Sequence, residues 1–226
     1  MQRFFDIFFS GLALLVLSPL IIPIFIFLKL TGEGEVFYLQ DRVGRGGNIF
    51  KLYKFATMLK NSSNMSTGTV TVKNDPRILP AGKFLRNTKI NELPQLLNIF
   101  FGDMSVIGPR PLAMQTFSSY SPQIQKTIIQ VSPGLSGIGS IVFRGEEDIL
   151  SGEAGSIDFY NKVIAPYKGL LEDWYVKHQS LKIYFWAIFV TVWVVFFSKS
   201  TLVWKAFPGL PIPPENLKQL LNYPEI

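Results

Sequence analysis

The chain has 226 residues, of which 22 are Lys or Arg and 16 are Asp or Glu, giving a formal charge of +6; it has no cysteine and one histidine. That excludes disulfides, a thiolate nucleophile, a zinc-cysteine centre and any histidine-cluster metal site. A metal bound by such a chain would take oxygen ligands, which points to Mg²⁺ or a similarly hard ion. The positive balance suits anionic lipid or a phosphate-bearing substrate.

Residues 7–28, IFFSGLALLVLSPLIIPIFIFL, carry no charge over 22 positions, against the ~20 apolar residues that cross a bilayer core. The run is too long for a signal-peptide core and is followed by Leu28-Lys29-Leu30 where a small-residue cleavage site would stand. A spanning helix and a re-entrant hairpin both fit. Pro19 and Pro23 each remove a donor inside the run, so a break at Ser18-Pro19 would let the helix turn back. Arg3 and Lys29 flank the run alike and set no sidedness.

Val36–Leu59 alternates apolar groups with Arg and Lys, and Gly44, Gly46 and Gly47 predict a hairpin turn between two short strands. Residues 61–74 read as a polar loop, and Asp75-Pro76-Arg77 as a turn. Gly82–Phe101 is the best helical region outside the apolar runs. Its second half is expected to start after Thr88, with Asn91-Glu92-Leu93-Pro94 as the first turn and free N–H groups beside Asn91 and Glu92, a natural phosphate site. MSVIGPRPL reads as a strand running into a rigid Gly-Pro-Arg-Pro turn, Phe117–Val131 as a helix, Pro133–Gly137 as a turn and Ile138–Phe143 as a strand. Ile157–Lys177 reads as a helix of mixed charge interrupted at Pro166. Tyr184–Phe197, rich in Trp and Phe, fits a helix in the membrane interface, with a second span or a buried soluble element as alternatives. The proline-rich tail after Phe207 is expected to be extended.

His178 lies at the edge of that aromatic segment, where it supports no Ser-His or Cys-His triad, and the glycines of residues 43–48 form no nucleotide-binding fingerprint. What remains is acids and basic groups: Glu92, Asp103 and Asp75 with Arg42, Arg45, Lys51, Lys54, Arg77, Arg86 and Arg110. Arginine meets phosphate oxygens bidentately, and acids with Mg²⁺ and arginines are the usual equipment of phosphoryl transfer. Arg110 stands out because Pro109 and Pro111 hold its backbone. No recognition-helix pattern or RNA-reading aromatic motif accompanies the charge, so nucleic acid is not an expected partner.

The ordered motifs DPRI (75–78), GKFLR (82–86), NELPQLLN (91–98), GDMSVIGPRP (102–111) and PGLSG (133–137), with VFYLQDRVGRGG and YKFATM upstream, resemble the bacterial sugar transferase family, the monotopic polyprenyl-phosphate phosphoglycosyl transferases. The resemblance covers nearly the whole chain and is to the minimal catalytic unit. It implies a small mixed α/β domain seated on the membrane by an N-terminal re-entrant helix and C-terminal amphipathic or interfacial helices. Residues 1–32 would be the membrane hairpin, 33–178 the cytoplasmic catalytic domain, 179–200 a membrane-associated helix and 201–226 a tail. It implies transfer of a sugar-1-phosphate from a UDP-sugar to undecaprenyl or another polyprenyl phosphate, with Mg²⁺ and release of UMP, at the cytoplasmic face of the bacterial inner membrane.

By that resemblance Glu92 and Asn91 are the catalytic and metal-holding pair. Arg77, Arg86, Arg110, Lys54 and Arg42 bind phosphate, Asp75, Asp103, Pro109 and Pro111 support them, and Ser18-Pro19 breaks the membrane helix. Membrane lipid is an expected partner, and the apolar surface would support a homodimer that monotopic insertion does not require. Two departures matter. Asn91 stands where the family has the Asp that attacks phosphorus, and an amide is a poor nucleophile, which raises a catalytically silent binder as the alternative. Ala56 stands where the family often has Arg. Glu146 and Glu147 are candidate supplementary acids.

Overall fold

The computed structural model describes residues 1–31, 33–60, 62, 76–145 and 159–224. Its described elements are ten α-helices and two small sheets, joined by short 3-10 and π turns. Asp75, Glu146 and Glu147 lie outside the described residues. The chain divides into two compact units, one of residues 1–6, 42–50 and 102–226, the other of residues 7–41 and 51–101.

Helix α1 runs from Gln2 to Leu30 and is the described helix long and apolar enough to cross a membrane. Helical structure continues through Pro19 and Pro23, so the chain does not leave the helix at Ser18-Pro19 as the sequence suggests. The reason is local. Pro19 has no N–H for the carbonyl four residues earlier, that of Leu15, and the Ser18 hydroxyl donates to that carbonyl at 2.7 Å instead. Leu12, Leu15, Val16, Ile22, Phe25, Ile26 and Phe27 are all exposed.

In the second unit, the C-terminal part of α1 enters a core of Leu28, Val36, Phe55 and Leu85, with Ile21, Ile24, Phe37 and Ile90 packed against it. Strands β1 (Phe37–Val43) and β2 (Ile49–Phe55) pair as the expected hairpin. Gly46 and Gly47 at its tip have φ of 72° and 79°, left-handed values that glycine adopts without strain.

Helix α2 (Pro80–Asn87) packs so closely on the chain after β2 that a Cβ on Gly82 would lie 2.2 Å from the Thr57 carbonyl oxygen. Lys89, at φ 58°, then reverses the chain into a 3-10 turn, Ile90–Glu92, and α3 begins only at Gln95. The later start corrects the sequence expectation. The N–H groups of Glu92 and Leu93 are spent on the Lys89 and Ile90 carbonyls at 3.0 and 3.1 Å, so the outward row of helix donors expected beside Asn91 and Glu92 does not form.

In the first unit, β3 (Ser105–Ile107) lies parallel to β4 (Gly134–Ser136), with Ser105 opposite Gly134 and Ile107 opposite Ser136. Residues 133–137, expected as a turn, therefore hold a strand, and residues 138–143, expected as a strand, form helix α6 (Ile138–Val142). Five apolar and small residues carry no usable period, and tertiary packing decides their state. The stretch read as one helix is two, α4 (Met114–Ser118) and α5 (Pro122–Ile128), the second starting at Pro122 with Ser121 as its side-chain cap.

A π turn (Tyr160–Ile164) leads directly into α7 (Ala165–Lys177); Pro166 sits in its first turn, where a missing N–H costs little, and does not interrupt it. Helix α8 (Leu181–Phe196) packs on β3, β4 and α6 through a stripe of Tyr184, Ala187, Val190 and Val194. It leaves Phe185, Trp186, Phe189, Trp193 and Phe196 exposed. The tail is not simply extended: α9 (Leu202–Ala206) and α10 (Glu215–Lys218) form, and Leu210, Leu217 and Leu221 are buried.

The start of α1 is tied into this unit by a buried carboxylate. Asp6 accepts from the Ser105 hydroxyl at 2.8 Å and from the Val106 N–H and the Tyr184 hydroxyl, both at 2.9 Å.

Candidate active site

The second unit holds the Asn-Glu pair. Its place is set by Asn98, the last residue of NELPQLLN, which is fully buried. The Asn98 side chain acts as an extra strand partner: its Oδ1 accepts the Tyr53 N–H at 2.9 Å and its Nδ2 donates to the Lys51 carbonyl at 2.8 Å. That double bond fastens α3 to β2. Across this join the Lys54 ammonium lies 3.8 Å from Glu92 Oε1, with both side chains partly exposed. A charge pair of this kind orients a side chain more than it stabilises a fold. Asn91 Oδ1 is buried and has no hydrogen-bond partner. A buried polar oxygen without a donor normally costs free energy, and native folds seldom leave one without a use.

The arginines of this unit differ. The Thr57 carbonyl accepts the Leu79 N–H at 3.0 Å, and the Leu59 N–H donates to the Arg77 carbonyl at 3.0 Å, so residues 57–59 and 77–79 run side by side. Arg86, in the last turn of α2, reaches the Thr57 hydroxyl at 3.5 Å. Arg77 is buried and donates to the Ser62 carbonyl at 2.6 Å, which makes it an anchor for the chain at residue 62.

The first unit holds Arg110. Three glycines lock its turn in place. A Cβ on Gly134 would lie 2.1 Å from the Gly108 nitrogen, and one on Gly137 would lie 2.1 Å from the Gly108 oxygen, so the GPRP and PGLSG motifs meet backbone to backbone. The Gly108 N–H donates to Ser136 at 2.9 Å, and the Gly134 N–H to Pro109 at 2.8 Å. Pro109 and Pro111 are buried and Arg110 between them is exposed, so a fixed backbone presents its guanidinium outward. Arg42, at the end of β1, is half-buried; the next residue, Val43, donates its N–H to the Leu112 carbonyl at 2.9 Å, just beyond the turn. Asp103 is exposed in the turn before β3.

Beneath the turn lies a residue the sequence reading passed over. Glu172 of α7 is 4% exposed, its Oε1 accepts the Arg110 N–H at 3.5 Å, and its Oε2 has no hydrogen-bond partner. Burial pushes its carboxyl up to about 7, against the lowering pull of the Arg110 N–H and of the Lys168 and Arg110 charges. In sequence it was one acid in a helix of mixed charge. The available signal was the glycine spacing of Gly137 and Gly139, which makes room for a buried group.

Among the described residues no group of three or more His, Asp or Glu side chains could hold a metal by itself. The buried, unpartnered Asn91 oxygen and the carboxylate of the next residue, Glu92, are nonetheless oxygen donors of the kind a hard divalent cation takes. Mg²⁺ is usually held by one or two protein oxygens together with substrate phosphates, so the pair fits such an ion.

A family model for bacterial sugar transferases matches residues 1–198. Three relatives show the range. The chain is 36% identical over 204 residues to the UDP-glucose:undecaprenyl-phosphate glucose-1-phosphate transferase of Klebsiella pneumoniae, covering 88% of this chain and 41% of that protein. It is 32% identical to the undecaprenyl-phosphate galactose phosphotransferase of Salmonella typhimurium, over 80% of this chain and 37% of the relative. It is 44% identical over 110 residues to a putative undecaprenyl-phosphate N-acetylgalactosaminyl 1-phosphate transferase of Bacillus subtilis, over 49% of this chain and 61% of the relative. The chain thus spans about two fifths of the length of the first two.

Proposed function

We propose, because this chain belongs to the bacterial sugar transferase family, that it is a phosphoglycosyl transferase. It moves a sugar-1-phosphate from a UDP-sugar to a polyprenyl phosphate of the undecaprenyl type. The bond between the two phosphates of the donor breaks, UMP leaves with the bridging oxygen, and the sugar phosphate ends on the acceptor phosphate. The observation that carries the reading is the family match, and it is supported by a Glu92 side chain paired with Lys54 and by the unpartnered oxygen of the preceding residue, Asn91.

Asn91 and Glu92 would hold Mg²⁺, which when bound supplies charge neutralisation at the transferring phosphate. In the second unit Lys54 would orient Glu92 and Arg86 would meet phosphate; in the first unit Arg110 and Arg42 are the groups that would meet phosphate. Arg77 supports the site as a buried anchor. Asn91 is neutral and cannot serve as the attacking carboxylate. The same substitution favours a second reading, a membrane-surface protein that binds nucleotide-sugar or lipid phosphate without transfer.

The domain is seated on the inner membrane with its active face cytoplasmic, and lipid contacts α1 and the exposed aromatic face of α8. At 16 residues, α8 is about 24 Å long, short of the ~30 Å hydrocarbon core, which favours the interface over a span. The re-entrant reading places the bend of α1 at Ser18-Pro19, and because the chain has no native cysteine it is open to a clean labelling test. Arg3→Cys and Lys29→Cys should both react with an impermeant reagent from the cytoplasmic side only; labelling from opposite sides would establish a span.

The transfer reading is tested with nanodisc-held protein, Mg²⁺, undecaprenyl phosphate and a panel of UDP-sugars. UMP appearing with one sugar and only in the presence of the lipid supports it and names the donor. Nucleotide-sugar binding by folded protein without UMP supports the silent binder.

A further inference from the structure

We infer that Glu172 is a positioning residue for Arg110: its carboxylate, sealed under the Pro109-Arg110-Pro111 turn, grips the one backbone donor of that turn and so sets the direction of the Arg110 guanidinium. The inference rests on the reading above in one respect, that Arg110 meets the phosphates of a nucleotide substrate.

The turn has few ways to be held from below. Pro109 and Pro111 have no N–H, so Arg110 supplies the only backbone donor of the three residues. That donor points at Glu172 Oε1, at the outer limit of hydrogen bonding, 3.5 Å. The carboxylate can stand there because glycine backbone forms its walls. A Cβ on Gly139 would lie 2.5 Å from Oε1, and one on Gly137 would lie 3.7 Å from Oε2.

The acid is poorly satisfied for its depth. Oε2 has no partner, and Lys168, one turn earlier and itself buried, places its ammonium 5.2 Å over the Phe143 ring. Among the described residues, the titratable groups that act on the carboxylate are Lys168 and Tyr175 from α7 and Arg110 from the turn; the residues of α6, IGSIV, contribute none. An apolar or amide residue would fill this place at lower cost to the fold. A buried, under-partnered acid touching the backbone of an exposed arginine makes sense as a device that acts on the arginine.

Ionised, the carboxylate accepts a charge-assisted bond from the Arg110 N–H; protonated, it accepts a weaker one. Burial places that change close to neutral pH. The turn is therefore held more firmly above neutrality than below it.

The test measures affinity of the full chain in nanodiscs for UDP at pH 6 and pH 8, together with KM and kcat for UMP release. The parent should gain roughly tenfold in UDP affinity at the higher pH, in line with a charge-assisted bond made or lost. E172Q should lose most of that gain, raise KM for the donor at pH 8 by a similar factor, and melt no lower than the parent at pH 8. The ligand's own titration is common to both proteins and cancels in the comparison. E172D keeps the charge but retracts it, and should restore the pH dependence in part; it also serves if E172Q does not fold.

Equal pH dependence of UDP affinity in parent and E172Q overturns the inference. So does a loss of kcat and melting temperature together with KM unchanged, the mark of a purely structural group. No UMP from the parent, with pH-dependent UDP binding that needs Glu172, overturns the transfer reading and leaves this one standing.

Discussion

Two acid-lysine arrangements in this chain use the same side chains to opposite ends. Glu92 and Lys54 lie 3.8 Å apart with partial exposure, so water shares the charge and the carboxylate remains available to a ligand. Glu172 and Lys168 are sealed, and the buried carboxylate is left with one long hydrogen bond and one unpartnered oxygen. Burial, more than residue type, decides that the first can meet substrate directly while the second can act only through the backbone it touches.

The sharpest way to break this comparison is E92Q. If Glu92 has the catalytic role proposed for it, removing its half-exposed carboxylate should lower UMP release by about 10²–10⁴-fold and leave the melting temperature within a degree or two of the parent. Retained turnover would remove Glu92 from the chemistry.

The largest loss of stability should come from the glycine contact under the other site. Gly134→Ala drives a methyl to 2.1 Å from the Gly108 nitrogen and 2.3 Å from the Ser136 oxygen, backbone that cannot yield. A loss of about 3 kcal/mol or more is expected, read as loss of folded yield or a collapsed urea midpoint.

The buried acid should also leave a pH signature on stability. The folded carboxyl stands at about 7 and its ordinary value is 4.5, so between these values the native state holds a proton that the unfolded chain has released. Stability therefore falls as pH rises through that window, by on the order of 3 kcal/mol in total, and E172Q should flatten it. An unchanged pH profile of unfolding in E172Q would mean that Glu172 does not carry its charge as its burial implies.

Asn98→Ala strands the Tyr53 N–H and the Lys51 carbonyl at the join of β2 and α3. It should cost about 2 kcal/mol and reduce turnover by displacing Glu92 from Lys54. Unchanged stability would show that the join does not depend on this amide. The smallest effect belongs to Ser18→Ala, which removes the donor to the Leu15 carbonyl and should cost about 1 kcal/mol, seen as a lower melting temperature in nanodiscs.

Part of the backbone was legible because its residues sit in motifs with built-in rigidity. The GPRP turn and the glycine hairpin stand where their sequence placed them, whereas Asn91 and Glu92 lie in a 3-10 turn ahead of the helix they were expected to open. The errors cluster where segments are short. Residues 134–136 and 138–142 exchange the expected turn and strand for a strand and a helix, because parallel pairing with β3 and packing under α7 outweigh the weak preference of five residues. The start of α3 moved to Gln95 because Lys89 takes a left-handed conformation and spends the intervening N–H groups in a 3-10 turn.

The sequence by itself determined the two apolar helices, the absence of thiol and histidine-cluster chemistry, the proline-fixed arginine and the neutral side chain of Asn91. These depend on composition and on residues whose backbone behaviour is intrinsic. Only the tertiary structure decided that Arg77 is buried while Arg110 is exposed and that Glu172 sits beneath the turn. Each of these depends on which polar group finds a partner at a distance along the chain, and no local pattern carries that information.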